Sequence, residues 1–584
     1  MNDEPTTDRV QLARARSFLQ ERRRLLDMPP AEALARILDA PQPAALVHSF
    51  PEQDLHLLIR QLGPRDALPL LALASYRQLT HLVDVEVWEK DRPLPRAATH
   101  WLDLIFRADP DHMVSWVLQE ETLFAEWYLY KHLDMTLREH DQDPSEIPEG
   151  FVSFDETLYF RIRSRPRGES DGEEDPAYAG LVRDFVLKFL RRLADRDYMR
   201  YHQLLLEAAA VLPAEAEEEA LRQRNVRLAE KGFLPFDEAV GIYQPLDADR
   251  LRPLPDPYRR GEALAELQVK APLYPVKVMA AGSLLEKALA LVDDPAVAGR
   301  IQSELAALCN RIAVADRLSV DGPDDLTALA RKVHGYLTIG LEHLAGEGRR
   351  ARPGRAAEAL VRYGLEQIFR LGYGRALKLQ WRARRWLARS WFAARNRGLA
   401  FWGERWMGVL GGLLLKRPLY YDNYRDGTLY REFRSTADTR RTDVLLDEIM
   451  AVDALLEAMD PPLPDLSGDQ RLTWKNLLLT GWARHWLRLE ASSEPIEVNR
   501  FRPFFEALFG RGEASPDTAG DQTRTAMKTA FLRWLAERSG RPAEKISTGL
   551  GPTLEALFAE LEDEYGRVSS RDLDARYIPH FLLK

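Results

Sequence analysis

The run from about Ser49 to His132 constrains this chain most, because it stops and restarts a helix again and again. Ser49-Phe50-Pro51-Glu52 has the form of a capping box. In that motif a Ser hydroxyl accepts from an early backbone N–H and a Glu reaches back to the Ser N–H. Leu55, Leu58, Ile59 and Leu62 follow at i, i+3, i+4 and i+7, one apolar helix face. Gly63-Pro64 closes that helix and opens another, with Asp66 near its positive end; Pro69 predicts a late start or a kink. Ser75 with Gln78 repeats the capping box ahead of Leu79, Leu82 and Val83. Ala98, Trp101, Leu102 and Ile105 mark a further face, and Asp109-Pro110-Asp111 opens a helix through Met113, Trp116 and Val117.

These starts lie roughly 12 to 19 residues apart. Helices so short cannot bury an apolar stripe alone, so neighbours must stack. The spacing is too uneven for a repeat with one consensus. The expected fold is therefore mainly α and multi-helical, with stacked short helices, a solenoid-like N-terminal part and one small β-hairpin. Val152 and Phe154, then Leu158, Phe160 and Ile162, alternate with other residues and place that hairpin near 150–165, after a helical stretch from 10 to 140.

The short helices opened by Pro51 to Leu55 and by Pro64 to Leu68 resemble the cytoplasmic helical domain of bacterial magnesium channels. That domain binds magnesium through acidic side chains, and no motif here carries a ligand across. Over its whole length the chain resembles an uncharacterised family of large helical proteobacterial proteins. The segments that carry this likeness are Gly232-Phe233-Leu234-Pro235-Phe236-Asp237-Glu238-Ala239 and Lys416-Arg417-Pro418-Leu419-Tyr420-Tyr421. The resemblance implies a helical fold and no particular activity.

Six prolines between Pro245 and Pro275 mark a linker, which divides the chain into an N-terminal helical stack, 10–244, and a C-terminal helical domain, 276–584. Ser283 with Glu286, Asp294-Pro295, Gly322-Pro323 and Gly551-Pro552 each read as a helix start, and the apolar tail 577–584 reads as docked on the body. At 584 residues the chain can bury large cores, and 45% hydrophobic with 29% charged residues is a globular balance. A net charge of −9 supplies no positive field for nucleic acid, so a nucleic-acid partner is not expected. The lone Cys309, in a helical apolar pattern, reads as a buried inert thiol. The polar, acidic start has no apolar run behind it, and no apolar stretch is long enough to span a bilayer, so a cytoplasmic location is expected.

Residues 349–406 hold fifteen Lys or Arg against three acids, a local charge of +12. Trp381, Trp386, Trp391, Trp402 and Trp406 fall within this segment. Lys378, Arg382, Arg385 and Arg389 form one stripe at helical spacing, and Leu377, Trp381, Ala388 and Phe392 form another. Three readings follow. The segment is a helical hairpin whose Arg stems cover core and whose heads meet acids elsewhere. Or it lies in a membrane interface, with Trp at headgroup depth and Arg toward anionic lipid. Or it docks a partner, chiefly a protein, through Lys378, Arg382, Arg385, Arg389, Trp381, Trp391 and Trp402. Gly408, Gly411 and Gly412 weaken the apolar run that follows as an isolated helix.

No His-Glu-x-x-His, paired-Cys, phosphate-loop or Gly-x-Ser-x-Gly pattern occurs, so no catalytic residue, cofactor-binding residue or metal ligand is assigned. Tyr420, Tyr421, Tyr424 and Arg425 belong to a polar aromatic stretch after Pro418. It reads as a tyrosine-packed loop, and it is where a small-molecule pocket, or an enzyme site without a motif, would be sought. The leading functional expectation is a non-catalytic interaction or regulatory scaffold. A peripheral membrane protein using 376–417 and an enzyme with a site near 418–431 are its rivals.

Overall fold

A computed structural model describes residues 14, 17–89, 91–139, 142–168, 175–210, 213–255, 272–277, 282–318, 323–346, 351–464, 471–509 and 518–584. The chain divides into two compact units, 1–371 and 372–584. The division falls inside the helix Leu365–Leu387. The proline-rich segment 245–275 lies within the first unit, and its residues 256–271 are outside the described set.

Helices dominate both units, and many begin where local chemistry places them. Asp109 caps Pro110–Gln119 by accepting from the His112 N–H at 2.9 Å. Asp294 caps Pro295–Asp316 through the Ala296 N–H at 2.9 Å, and Ser283 caps Leu284–Leu289 through the Glu286 N–H at 3.1 Å. The Ser75 N–H donates to Gln78 Oε1 at 2.8 Å at the start of Tyr76–Glu86. Each bond satisfies a donor that the first helical turn would leave unpaired. Gly63 ends Glu52–Leu62 at φ +90°, and the next helix waits until Leu68, with Pro69 in its first turn.

Over residues 25–208 of the first unit the apolar faces converge on one core, from Leu25 through Trp101, Trp116 and Trp127 to Leu205. Cys309 is fully buried, which pushes its thiol up to about 12. The expected hairpin forms, with Val152–Ser153 antiparallel to Leu158–Ile162 and Val152 opposite Phe160. A third strand, Leu133–Leu137, lies on the other side of Leu158–Ile162, with Met135 opposite Phe160. The helical reading through 140 is thus corrected. Leu133-Asp134-Met135-Thr136-Leu137 alternates with period two, and Asp134 is gripped by Arg161, Arg163 and Arg167 at 2.8, 2.7 and 3.0 Å. Two further two-stranded ribbons exist, Trp88–Glu89 with Arg92–Pro93 and Tyr420–Tyr421 with Tyr430–Arg431, so β structure is not confined to one hairpin.

Two capping expectations also change. Ser49 is the last residue of Pro43–Ser49, where its hydroxyl donates to the Leu46 carbonyl at 2.6 Å, and Pro51 precedes the next helix. Gly551-Pro552 lies inside Ala543–Tyr565. Ile546, Leu550, Leu554, Leu557 and Leu561 continue one buried face across the proline, so packing overrides the break.

The second unit is built on aromatic clusters. Trp386, Phe392, Phe401 and Trp402 interlock in one, and Trp482, Phe504 and Phe531 in another. The tail docks as expected: the Leu582 N–H donates to Thr480 Oγ1 at 2.8 Å, and Leu583 forms a parallel bridge with Ile496.

Candidate functional site

The site begins with three glycines. In the helix Gly403–Leu414, a Cβ on Gly408 would lie 2.3 Å from the Tyr421 ring. A Cβ on Gly411 would lie 2.7 Å from the Tyr430 hydroxyl, and one on Gly412 would lie 2.6 Å from the Leu419 carbonyl. Glycine at these positions lets the ribbon Tyr420–Tyr421/Tyr430–Arg431 press its tyrosines onto the helix backbone. The helix ends on a side chain from elsewhere in its unit: buried Gln380 donates its amide to the Leu413 carbonyl at 2.9 Å and also to Leu415.

Arg431 locks the ribbon. It donates to Asp422 at 2.8 Å and to both carboxylate oxygens of Asp438 at 2.8 and 3.1 Å, and its guanidinium sits 4.2 Å from the Tyr420 ring centroid. Asp422 is buried, and bonds from the Asp426 N–H and Arg431 outweigh that burial to hold its carboxyl below the usual range.

Beside this ribbon lies a cleft of about 530 Å³. Trp402 to Trp406 and Tyr420 to Asn423 form one side. Arg441, Thr442, Leu445 and Glu448 project from one face of Thr436–Met459, at steps that bring them into line on a helix. Pro552, Thr553, Ala556, Leu557 and Glu560 do the same from Ala543–Tyr565. Trp474 and Lys475 open the remaining helix, Trp474–Trp486, where Thr473 and Asn476 make the reciprocal capping box. The Trp474 ring stacks on Trp406 with centroids 4.8 Å apart and planes 12° from parallel.

The charges of the cleft are partly spent. Glu560 accepts from His580 at 2.9 Å and from Lys475 at 2.6 Å, and these two partners hold its carboxyl down at about 2 despite partial burial. Arg441 donates to the Tyr420 hydroxyl at 3.1 Å. Arg405, Arg425 and Arg441 make no carboxylate ion pair within 4.0 Å among the described residues. Burial raises the Glu448 carboxyl, against the opposing pull of Arg405 and a bond from Trp406. Three polar atoms on lining side chains have no hydrogen-bond partner: the indole N–H groups of Trp402 and Trp474 and the hydroxyl of Thr553. Those side chains are 1%, 3% and 7% exposed, so bulk water does not stand in for a partner.

Of the residues the sequence singled out for a pocket, Tyr420, Tyr421 and Arg425 line the cleft. Tyr424 does not; it sits in the ribbon turn at φ +60° and is 65% exposed. The basic segment is divided by burial. Trp391 and Trp402 are core residues, as are Trp386 and Trp406, so neither Trp391 nor Trp402 can meet an external partner surface as expected. Trp386 donates to Asp453 and Trp391 to Asp460, both at 3.0 Å. Arg382 reaches Asp443 and Asp447, the acids elsewhere that the hairpin reading required. Lys378, Arg385 and Arg389 are exposed, and Trp381 is 42% exposed. The stripe Leu377, Trp381, Ala388 is not the buried face of Leu365–Leu387; Ala376, Leu379, Gln380, Ala383 and Trp386 are. A polar residue, Gln380, disguised the true face.

Sequence reasoning missed Arg441, Trp474, Lys475, Thr553 and Glu560. The Thr473/Asn476 pair was a usable signal for the helix start at Trp474, and the glycine spacing ahead of the tyrosines was another. Among the described residues no group of three or more metal-ligating side chains converges, and no helix is long and apolar enough to cross a membrane.

Residues 11–584 match a protein family described as a family of unknown function (DUF6178). No curated protein and no solved structure matches the chain. The likeness of residues 51–68 to the magnesium-channel domain gains no support from these comparisons.

Proposed function

We propose that this chain, which belongs to the DUF6178 family of unknown function, is a cytoplasmic helical binding protein whose second unit takes up a small ligand in the cleft beside 420–425. The observation that carries this reading is convergence. Five separate segments of the unit line one concavity with aromatic rings, guanidinium groups and unpartnered donors. Its volume falls in the usual range for ligand pockets, roughly 300–1,000 Å³. A cleft with buried donors left unpaired is costly to keep, at about 1–3 kcal/mol for each such group. A bound ligand that pairs them offsets that cost.

The exposed part of the basic helix supports an additional role in holding a protein partner. Trp381, Arg384, Arg385 and Arg389 stand on one solvent-facing stretch, whereas Trp386, Trp391, Trp402 and Trp406 are buried and leave a membrane reading Trp381 alone of the segment's five tryptophans. The test of the ligand reading is a size-matched fragment library of neutral, cationic and anionic members, screened by ligand-observed NMR against the full chain and against Ala556→Trp. Ala556 lies exposed on the cleft wall, so the indole fills the opening without entering the core. Hits that vanish in Ala556→Trp support the reading. A library with no Ala556→Trp-sensitive hit overturns it.

A further inference from the structure

The groups left over in the cleft are donors. An indole N–H can only donate, and a guanidinium can only donate; Thr553 can do either. Trp402, Trp474 and Thr553 lack partners, and Arg405, Arg425 and Arg441 lack carboxylates within ion-pair reach. Acids are present too. Glu560 is committed to Lys475 and His580, and Asp422 to Arg431. That leaves Glu404 and Glu448 against three guanidinium groups, with three neutral donors or hydroxyls beside them. The balance favours an occupant that brings acceptors and negative charge. The rest of the wall is apolar or aromatic: Trp406, Val409, Leu445, Pro552, Leu557 and the half-buried Tyr421. Such a wall suits a flat hydrocarbon or ring body and excludes a bare inorganic ion as the best fit.

We infer that the cleft binds a small organic oxyanion, a carboxylate or phosphate carried on a flat apolar body, with Arg405 and Arg441 meeting the anion and the Trp474 and Trp402 N–H groups donating to its remaining oxygen lone pairs. This rests on the ligand-binding reading above and narrows it. Charge-assisted hydrogen bonds to an oxyanion are stronger than neutral ones and are the interaction that a guanidinium fork makes best. The two oxyanions share this chemistry, and the choice between them lies in the number of oxygens presented.

The test uses matched pairs on the full chain: benzoate with benzamide, and phenyl phosphate with benzyl alcohol. Binding is read by tryptophan fluorescence, since Trp402, Trp406 and Trp474 line the site, and by thermal shift. The anion of at least one pair is expected to bind roughly tenfold tighter than its neutral mate, the factor that one charge-assisted bond supplies. Whichever anion shows the larger ratio identifies the headgroup. Arg405→Gln and Arg441→Gln should each weaken the anion about five- to tenfold and leave the neutral mate unchanged. Trp474→Phe keeps a ring in the stack while deleting the donor, and should weaken the anion without unfolding the unit. Equal binding of both members of each pair, abolished by Ala556→Trp, would overturn the oxyanion while leaving a ligand cleft. No Ala556→Trp-sensitive binding by any of the four probes would overturn the oxyanion too, and the fragment library then decides separately whether the cleft binds anything.

Discussion

Two helix glycines of the second unit should respond to the same substitution with opposite signs. Gly408 and Gly549 both lie inside helices, Gly403–Leu414 and Ala543–Tyr565. Replacing a mid-helix glycine by alanine stabilises by about 1 kcal/mol, because alanine has less backbone freedom to lose. At Gly549 nothing lies within 4 Å of the new Cβ, so Gly549→Ala should realise that gain. At Gly408 the Cβ would sit 2.3, 2.4 and 2.6 Å from three atoms of the Tyr421 ring. Carbon atoms pack at about 3.5–4.0 Å, so the ring must retreat by more than about 1 Å or the helix must bend. Overpacking of this kind costs about 1–3 kcal/mol. The propensity gain is common to both variants and cancels in their difference. Gly408→Ala should therefore be less stable than Gly549→Ala by about 1–3 kcal/mol, the packing cost alone. Urea denaturation with identical slopes for the two variants gives that difference directly. Because Tyr421 also lines the cleft, Gly408→Ala should weaken any cleft ligand and Gly549→Ala should not. Equal stabilisation of both variants would refute the packing of the ribbon on the glycine helix, and with it the wall of the cleft.

Two further expectations concern buried charge. Arg431→Met leaves Asp422 and Asp438, whose side chains are 3% and 10% exposed, without their cation, and should cost about 3–5 kcal/mol. Adding Asp422→Asn and Asp438→Asn should restore part of the loss, and a cost below about 1 kcal/mol in chemical denaturation would contradict the buried network. In the first unit His132 is fully buried, bonded to the Tyr128 carbonyl at 2.9 Å and the Tyr178 hydroxyl at 3.0 Å. Burial, helped by Lys131 and only partly opposed by the Tyr128 carbonyl, pulls its pKa down to about 4. The unfolded chain takes up this proton near pH 6.5, so the contribution is complete above that pH and is lost as pH falls to about 4, a swing of about 3 kcal/mol. Stability followed from pH 7.5 to 4 should thus fall more steeply in the parent than in His132→Gln, and parallel profiles would refute the neutral, buried imidazole.

What could be read from the sequence was local. Asp109, Asp294, Ser283 and Ser75 announce helix starts because a cap is decided within four residues. The same rule misread Ser49 and Pro552, where tertiary packing decided the outcome. Ser49 finishes a seven-residue helix that Pro43 opens, and Pro552 is carried through by apolar residues on both sides of it. The strand Leu133–Leu137 escaped because its alternation follows directly on the helix Thr122–His132, with no glycine or proline to mark the change.

The cleft shows the same limit from the other side. Its near wall could be anticipated, since the tyrosines follow the glycine run by only a few residues and the basic, tryptophan-rich segment lies just before. Its far wall could not, because Thr553 and Glu560 join Trp474 around the cleft only when the helices Ala543–Tyr565 and Trp474–Trp486 are packed. The glycines reconcile the two halves. In isolation Gly408, Gly411 and Gly412 argue against a helix, at about 1 kcal/mol each. Their cost is explained only if something needs the space that a Cβ would fill, and that something is the pair Tyr421 and Tyr430. A run of glycines that weakens its own helix is thus a sequence-level sign of close approach, and here the approaching side chain is part of the site.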